Sequence, residues 1–216
     1  NISGNMFVGD GLTVSDSDQN VVTGNTVNGK PLVYLEGVSG YTVENAGQVI
    51  LVKCNNITVK NLNLSNTDVG VELLSTGNSK ITGNNIANNW CGIRLSDSHS
   101  NTISANNVTG SVWEAGIWLY SSGHNTISGN NITNNNRFGI LLDTVSRYSI
   151  ISENNIIANQ YGMRFTAYGS DSRIYHNNFI NNTQQVYADP YGNYLDDGYP
   201  SGGNYWSNYA GVDVKS

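Results

Sequence analysis

The chain has 216 residues, enough for one or two domains, and carries 10 Lys and Arg against 16 Asp and Glu, a net charge of −6 that argues against a nucleic-acid partner. No apolar run approaches the roughly 18 residues of a membrane span, and no basic segment leading into an apolar stretch opens the chain, so neither a spanning helix nor an export signal is expected within it. Charged residues make up only 12% where soluble domains average about 25%, while Asn alone fills 35 positions, about 16% of the chain.

The first elements, over residues 1–48, are irregular. Ile2 and Phe7 flank Asn5, and Val22 and Val27 flank Asn25, each pair five residues apart. Between Gly29 and Gly47 stand Lys30-Pro31 and a strand-like run from Leu32 to Leu35, which predicts a looser or enlarged coil. The chain starts inside a repeat, so it is expected to be a piece of a longer parent chain with other domains.

Residues 49–186 are regular. Gly70, Gly92, Gly116, Gly139 and Gly162 follow one another at 22, 24, 23 and 23 residues. Each is followed by an alternating apolar pair: Val71/Leu73, Ile93/Leu95, Ile117/Leu119, Ile140/Leu142 and Met163/Phe165. A period of two is strand, not helix. Later in each unit two apolar residues stand five apart, as in Ile81 and Ile86 or Ile127 and Ile132, and an Asn pair sits between them. Those pairs are Asn84-Asn85, Asn106-Asn107, Asn130-Asn131, Asn154-Asn155 and Asn177-Asn178, expected to turn the corner because Asn tolerates a left-handed backbone. Three short strands and three corners per unit make one coil of a parallel β-helix. Stacked coils place equivalent residues above one another, so Asn63, Asn85, Asn107, Asn131, Asn155 and Asn178 are expected to form a buried amide ladder.

After Val186 the pattern stops. Residues 187–216 hold six Tyr (187, 191, 194, 199, 205 and 209) and Trp206 among many Gly, which predicts a capping tail folded over the last coil.

The repeated "GIxL" and "NxIxxNNI" units, the passage "AGQVILVKCNNITVKNLNLSNTDVGVELL" and the ending "GYPSGGNYWSNYAGVD" closely resemble NosD-like proteins of the carbohydrate-binding and sugar-hydrolase (CASH) repeat group. The resemblance covers essentially the whole chain, and "GGNYWSNY" is its most specific part. It implies an all-β fold, a right-handed single-stranded parallel β-helix of about 22 to 24 residues per coil, and export, such modules being common in archaeal cell-surface proteins. The group mixes surface proteins, a periplasmic protein linked to copper-site maturation, and relatives of polysaccharide lyases and epimerases. Fold alone therefore does not select among them.

The outward slots of the first strand form three columns. One runs Asp68, Trp90, Glu114, Arg137, Gln160; the next Glu72, Arg94, Trp118, Leu141, Arg164; the third Leu74, Ser96, Tyr120, Asp143, Thr166. Trp90, Arg94, Glu114, Trp118, Tyr120, Asp143 and Arg164 combine rings that stack on sugar C–H faces with charges that take hydroxyls or uronate carboxylates, so this face is the candidate glycan site. The opposing reading is an ordinary solvated face with Glu72 and Arg94 as a cross-strand pair. For a lyase or epimerase, Glu114 or Asp143 would be the base, with Arg94, Arg137 or Arg164 holding the carboxylate; for a hydrolase, Glu114 and Asp143 would be the two carboxyl groups. Coils this short leave almost no room for cleft-walling loops, which favours a scaffold.

No cofactor is expected, calcium apart: Asp189, Asp196 and Asp197 in the Gly-rich tail are oxygen ligands of the right type. His99 and His124 lie near one corner and His176 in the column of Glu153, a poor set for copper or zinc. Cys54, aligned with Ser75, and Cys91, aligned with Val69 and Ala115, fall at different corners and are expected to be buried free thiols. Glycosylation triplets begin at Asn1, Asn56, Asn63, Asn107, Asn131 and Asn181; those in the ladder are expected to be buried, leaving Asn1, Asn56 and Asn181 as acceptors. The leading expectation is a non-catalytic module of an exported cell-surface protein whose partner is a glycan or matrix polymer. A polysaccharide-cleaving or epimerising enzyme is the second reading and a copper-delivery protein the third.

Overall fold

The computed structural model describes residues 1–166, 171–187, 192–198 and 200–211. Among these, short strands build three long sheets of ten, seven and seven strands, in each of which neighbours come from successive coils. The strands pair parallel except where Thr26–Val27 meets Lys30–Glu36 antiparallel, and an isolated antiparallel bridge joins Asp196 to Gly203 in the tail. The chain is a right-handed parallel β-helix, a coil of parallel strands as its repeat predicts and of the hand that the resemblance implies.

The first sheet carries Val69–Leu74, Cys91–Ser96, Ala115–Tyr120, Phe138–Asp143, Tyr161–Phe165 and Gln184–Tyr187. Its inward residues are the predicted pairs, all buried in one aliphatic column with Ile81, Ile103, Ile127, Ile151 and Ile174 from the second sheet and Ile86, Val108, Ile132, Ile156 and Phe179 from the third. The recurring Gly has a steric cause. A Cβ on Gly139 would stand 2.5 Å from the Gly162 carbonyl oxygen, and one on Gly70 2.8 Å from that of Gly92, so coils can stack this closely only without a side chain there.

The ladder is real but lies one residue earlier than expected. Asn84 donates its amide to Asn106 Oδ1 at 2.9 Å, Asn106 to Asn130 at 3.0 Å, Asn130 to Asn154 at 2.9 Å and Asn154 to Asn177 at 2.9 Å, and all five are buried. Each also satisfies a backbone carbonyl of the preceding coil, as Asn130 does Ile103 at 2.9 Å. The predicted column is the outer one: Asn63, Asn85, Asn131, Asn155 and Asn178 are exposed and Asn107 half-buried, joined by amide bonds such as Asn131 to Asn107 at 2.9 Å. Asn63, Asn107 and Asn131 are therefore not hidden. The left-handed residue of this corner is also not in the pair but before it: Gly83, Ala105, Gly129, Glu153 and His176 have positive φ. That extra step swings the first Asn inward and the second outward.

A second ladder, Asn135, Asn159 and Asn182, lines another corner. At the third, hydroxyls replace amides, with Thr76 N donating to Ser98 Oγ and Ser98 N to Ser122 Oγ, both at 3.0 Å. Cys54 belongs to this slot, its N donating to Thr76 Oγ1, one position from the expected alignment with Ser75. Both cysteines are free and buried, and burial pushes the Cys91 thiol up to about 12.

At the far end Asn204 accepts the Asn177 amide at 2.9 Å, Tyr205–Trp206 pairs with the strand Asn178–Ile180, and Trp206 stacks on Phe179 at 4.7 Å. Tyr191 and Tyr199 of the expected tail lie outside the described residues.

Candidate functional site

Strand register brings the outward columns together as the repeat predicts. Glu72, Arg94, Trp118, Leu141 and Arg164 are successive partners, as are Leu74, Ser96, Tyr120 and Asp143. Their exposure was not legible from the repeat. Glu72, Leu74, Ser96 and Leu141 are buried.

Much of that burial comes from the N-terminal residues, which lie across the first coils of this face. Leu12 exchanges two hydrogen bonds with the Gln48 side chain, accepting its amide at 2.7 Å and donating to its oxygen at 3.0 Å. Val14 donates its N–H to Glu72 Oε2 at 3.0 Å, and Gln19 and Asn20 donate theirs to the Glu36 carboxylate. Lys53 pairs with Asp18. Beneath, Val14 packs with Ile50, Val52 and Leu74, outward apolar residues that would otherwise face water. Burial raises the Glu72 carboxyl to about 7, against the Val14 hydrogen bond and Arg94, 3.5 Å away.

Beyond this cover the face opens into a groove of about 300 Å³ lined by Glu114, Trp118, Arg137, Phe138, Leu141, Asp143, Arg164 and Thr166. Arg94 lies over the Trp118 ring at 5.1 Å, and Trp118 meets Tyr120 edge-on at 6.3 Å. Arg137 and Arg164 both cover Phe138, at 4.8 and 5.3 Å, and Arg164 also reaches over Tyr187 at 5.4 Å. Glu114 is held by Arg137 at 3.8 Å, and Asp143 Oδ1 accepts from Thr166 Oγ1 at 2.5 Å and Thr144 N at 2.8 Å. Arg164 has no carboxylate partner among the described residues. The Nε atoms of Arg94 and Arg164 and the Trp118 indole N–H are buried donors without a hydrogen-bond acceptor among the described residues.

Trp90 stands apart from this groove. It lines a separate depression with Asn66, Asp68, Asn88, Val112 and Trp113. Trp113, 66% exposed, is a residue the repeat did not single out. Its signal was in the spacing: three residues separate Ser111 from Ala115, where one separates Asn89 from Cys91. The excess forms a bulge in which Trp113 N and Glu114 N both donate to the Trp90 carbonyl.

Among the described residues no three His, Cys, Asp or Glu side chains gather as metal ligands. His99 Nδ1 accepts from Gly123 N at 3.0 Å, His124 stacks on Tyr148 and His176 bonds the Ser201 carbonyl. Met6 is exposed in the first coil, whereas Met163 is in the core. These donors do not fit a copper site. Asp196 caps Gly198 N, Asp197 accepts from Ser201 and faces Arg173 at 3.9 Å, and Asp189 lies outside the described residues. Asn1, Asn56 and Asn181 are exposed.

No curated protein matches the chain in sequence. Among solved structures it is similar to the Azotobacter vinelandii mannuronan C-5 epimerase AlgE6 A-module, with a TM-score of 0.54 and 15% identity over 85% of this chain. The match spans 58% of that module's length, and at this identity the likeness is one of fold. An alginate lyase from Paenibacillus sp. str. FPU-7 aligns over 93% of this chain and 87% of its own, at 14% identity and a TM-score of 0.40. The family described as periplasmic copper-binding protein (NosD) matches residues 31–211, most of the coils and the tail, and the chain belongs to that family.

Proposed function

We propose that the chain is a non-catalytic module of an exported cell-surface protein and that it holds an acidic polysaccharide in the groove of its first sheet. The observation that carries this is the pair of guanidinium groups lining the groove beside Trp118: Arg137, exposed, and Arg164, without a carboxylate partner among the described residues. A uronate carboxylate is the charge-assisted partner that such guanidinium groups take, and its neighbouring hydroxyls add further hydrogen bonds. The Trp118 and Tyr120 rings offer the apolar side of the same contact.

An enzymatic reading has its own support in Glu114 and Asp143, which line the same groove beside Arg137. Glu114 is, however, already engaged by Arg137, and Asp143 Oδ1 by two donors. Neither is an isolated base held away from counter-charges, so the binding reading stands first.

The test is a tryptophan-fluorescence titration with alginate, polygalacturonate and neutral dextran. Saturable binding of the two uronate polymers is expected. Trp118→Ala should weaken it about tenfold, equivalent to about 1.4 kcal/mol, with Ile117 and Leu119 still packed inward. Arg164→Ala should weaken uronate binding similarly. Binding unchanged in both variants would remove the groove as the site, and formation of unsaturated or epimerised uronates would establish the enzymatic reading instead.

A further inference from the structure

Among the described residues the groove is closed at one end. In the column that runs Arg164, Leu141, Trp118, Arg94, Glu72, the first four positions lie along the groove and the Arg94 approach to it. The next position, Glu72, is occupied from outside by the Val14 backbone, whose N–H sits on its carboxylate. Val14, Ser15 and Asp16 meet Arg94, Ser96, Asp97 and Tyr120 in a small pocket at this junction. A polymer following the column cannot pass. It meets a peptide already bonded to the face through Gln48, Glu72 and Glu36.

Resting on the proposed function, we infer that this groove recognises the terminus of a polysaccharide chain and not its interior, with the N-terminal residues as the specificity-determining wall. From Arg94 to Arg164 is three coil steps, about 14 Å at a strand spacing of about 4.8 Å, a length suited to a short run of sugars. Chemistry changes along it. The open part carries Arg137 and Arg164, which suit uronate carboxylates. The closed end presents Asp16 and Asp97 beside Arg94, acceptors and donors that suit the free hydroxyls of a terminal sugar.

The experiment is isothermal titration of the intact protein with size-fractionated alginates supplied at equal mass. End recognition requires that the number of protein molecules bound follow the concentration of chain ends, falling in inverse proportion to chain length, while affinity per end stays constant. Sites that scale with polymer mass would overturn the inference and leave glycan binding intact. No binding of any fraction would overturn the proposed function and this inference with it. Asp16→Lys provides the second readout: it should change affinity for short oligomers, whereas a wall that touches no ligand would leave affinity unaltered.

Discussion

Replacing Asn130 by Ala tests the inner ladder directly. Asn130 Oδ1 accepts from both the backbone N and the side-chain amide of Asn106, each at 3.0 Å, and its own amide serves Ile103 O, Ser128 O and Asn154 Oδ1. The substitution leaves at least one buried donor of Asn106 without an acceptor and the Ile103 carbonyl short of a donor. At about 1 to 3 kcal/mol for each orphaned group, the loss should reach about 3 kcal/mol. For a domain of this size that corresponds to a fall of roughly 6 to 12 °C in melting temperature. The neighbouring Asn131→Ala variant is the control, because Asn131 is exposed and gives up one bond, to Asn107, whose groups can turn to water. It should cost less than about 1 kcal/mol. Melting followed by circular dichroism compares the two. Equal shifts, or a larger one for Asn131→Ala, would refute the assignment of inner and outer columns.

Trp206→Ala should uncover Phe179 and loosen the strand that closes the third sheet, so the variant should melt lower and associate in light scattering; an equally stable, monodisperse variant would mean that these residues are no cap. Glu72→Gln should alter the pH dependence of stability. Burial raises Glu72 from 4.5 to about 7, so the folded state binds the proton more tightly, and stability should decline by about 3 kcal/mol as pH rises from about 4.5 through about 7. The Gln variant should lose that slope, and an unchanged profile would place the carboxyl in water.

The repeat made the fold legible because a solenoid's decisive contacts lie between adjacent coils: what aligns at a spacing of 22 to 24 residues is what touches. Hence the inward pairs, the outward columns from Glu72 to Arg164 and the separation of Cys54 from Cys91 could be read from the chain alone. Which member of each Asn pair turns inward could not, because it depends on one backbone step at the corner, the positive φ of Gly83, Ala105 or Gly129, which breaks the period of two. Nor could the wall of the groove. The hydrogen bond from Val14 to Glu72 joins residues 58 apart, outside any repeat, and a segment without periodicity carries no mark of the surface it covers. The columns were written in the sequence; which part of them faces water was settled only when the first residues folded back across the sheet and buried outward apolar residues such as Ile50, Val52 and Leu74.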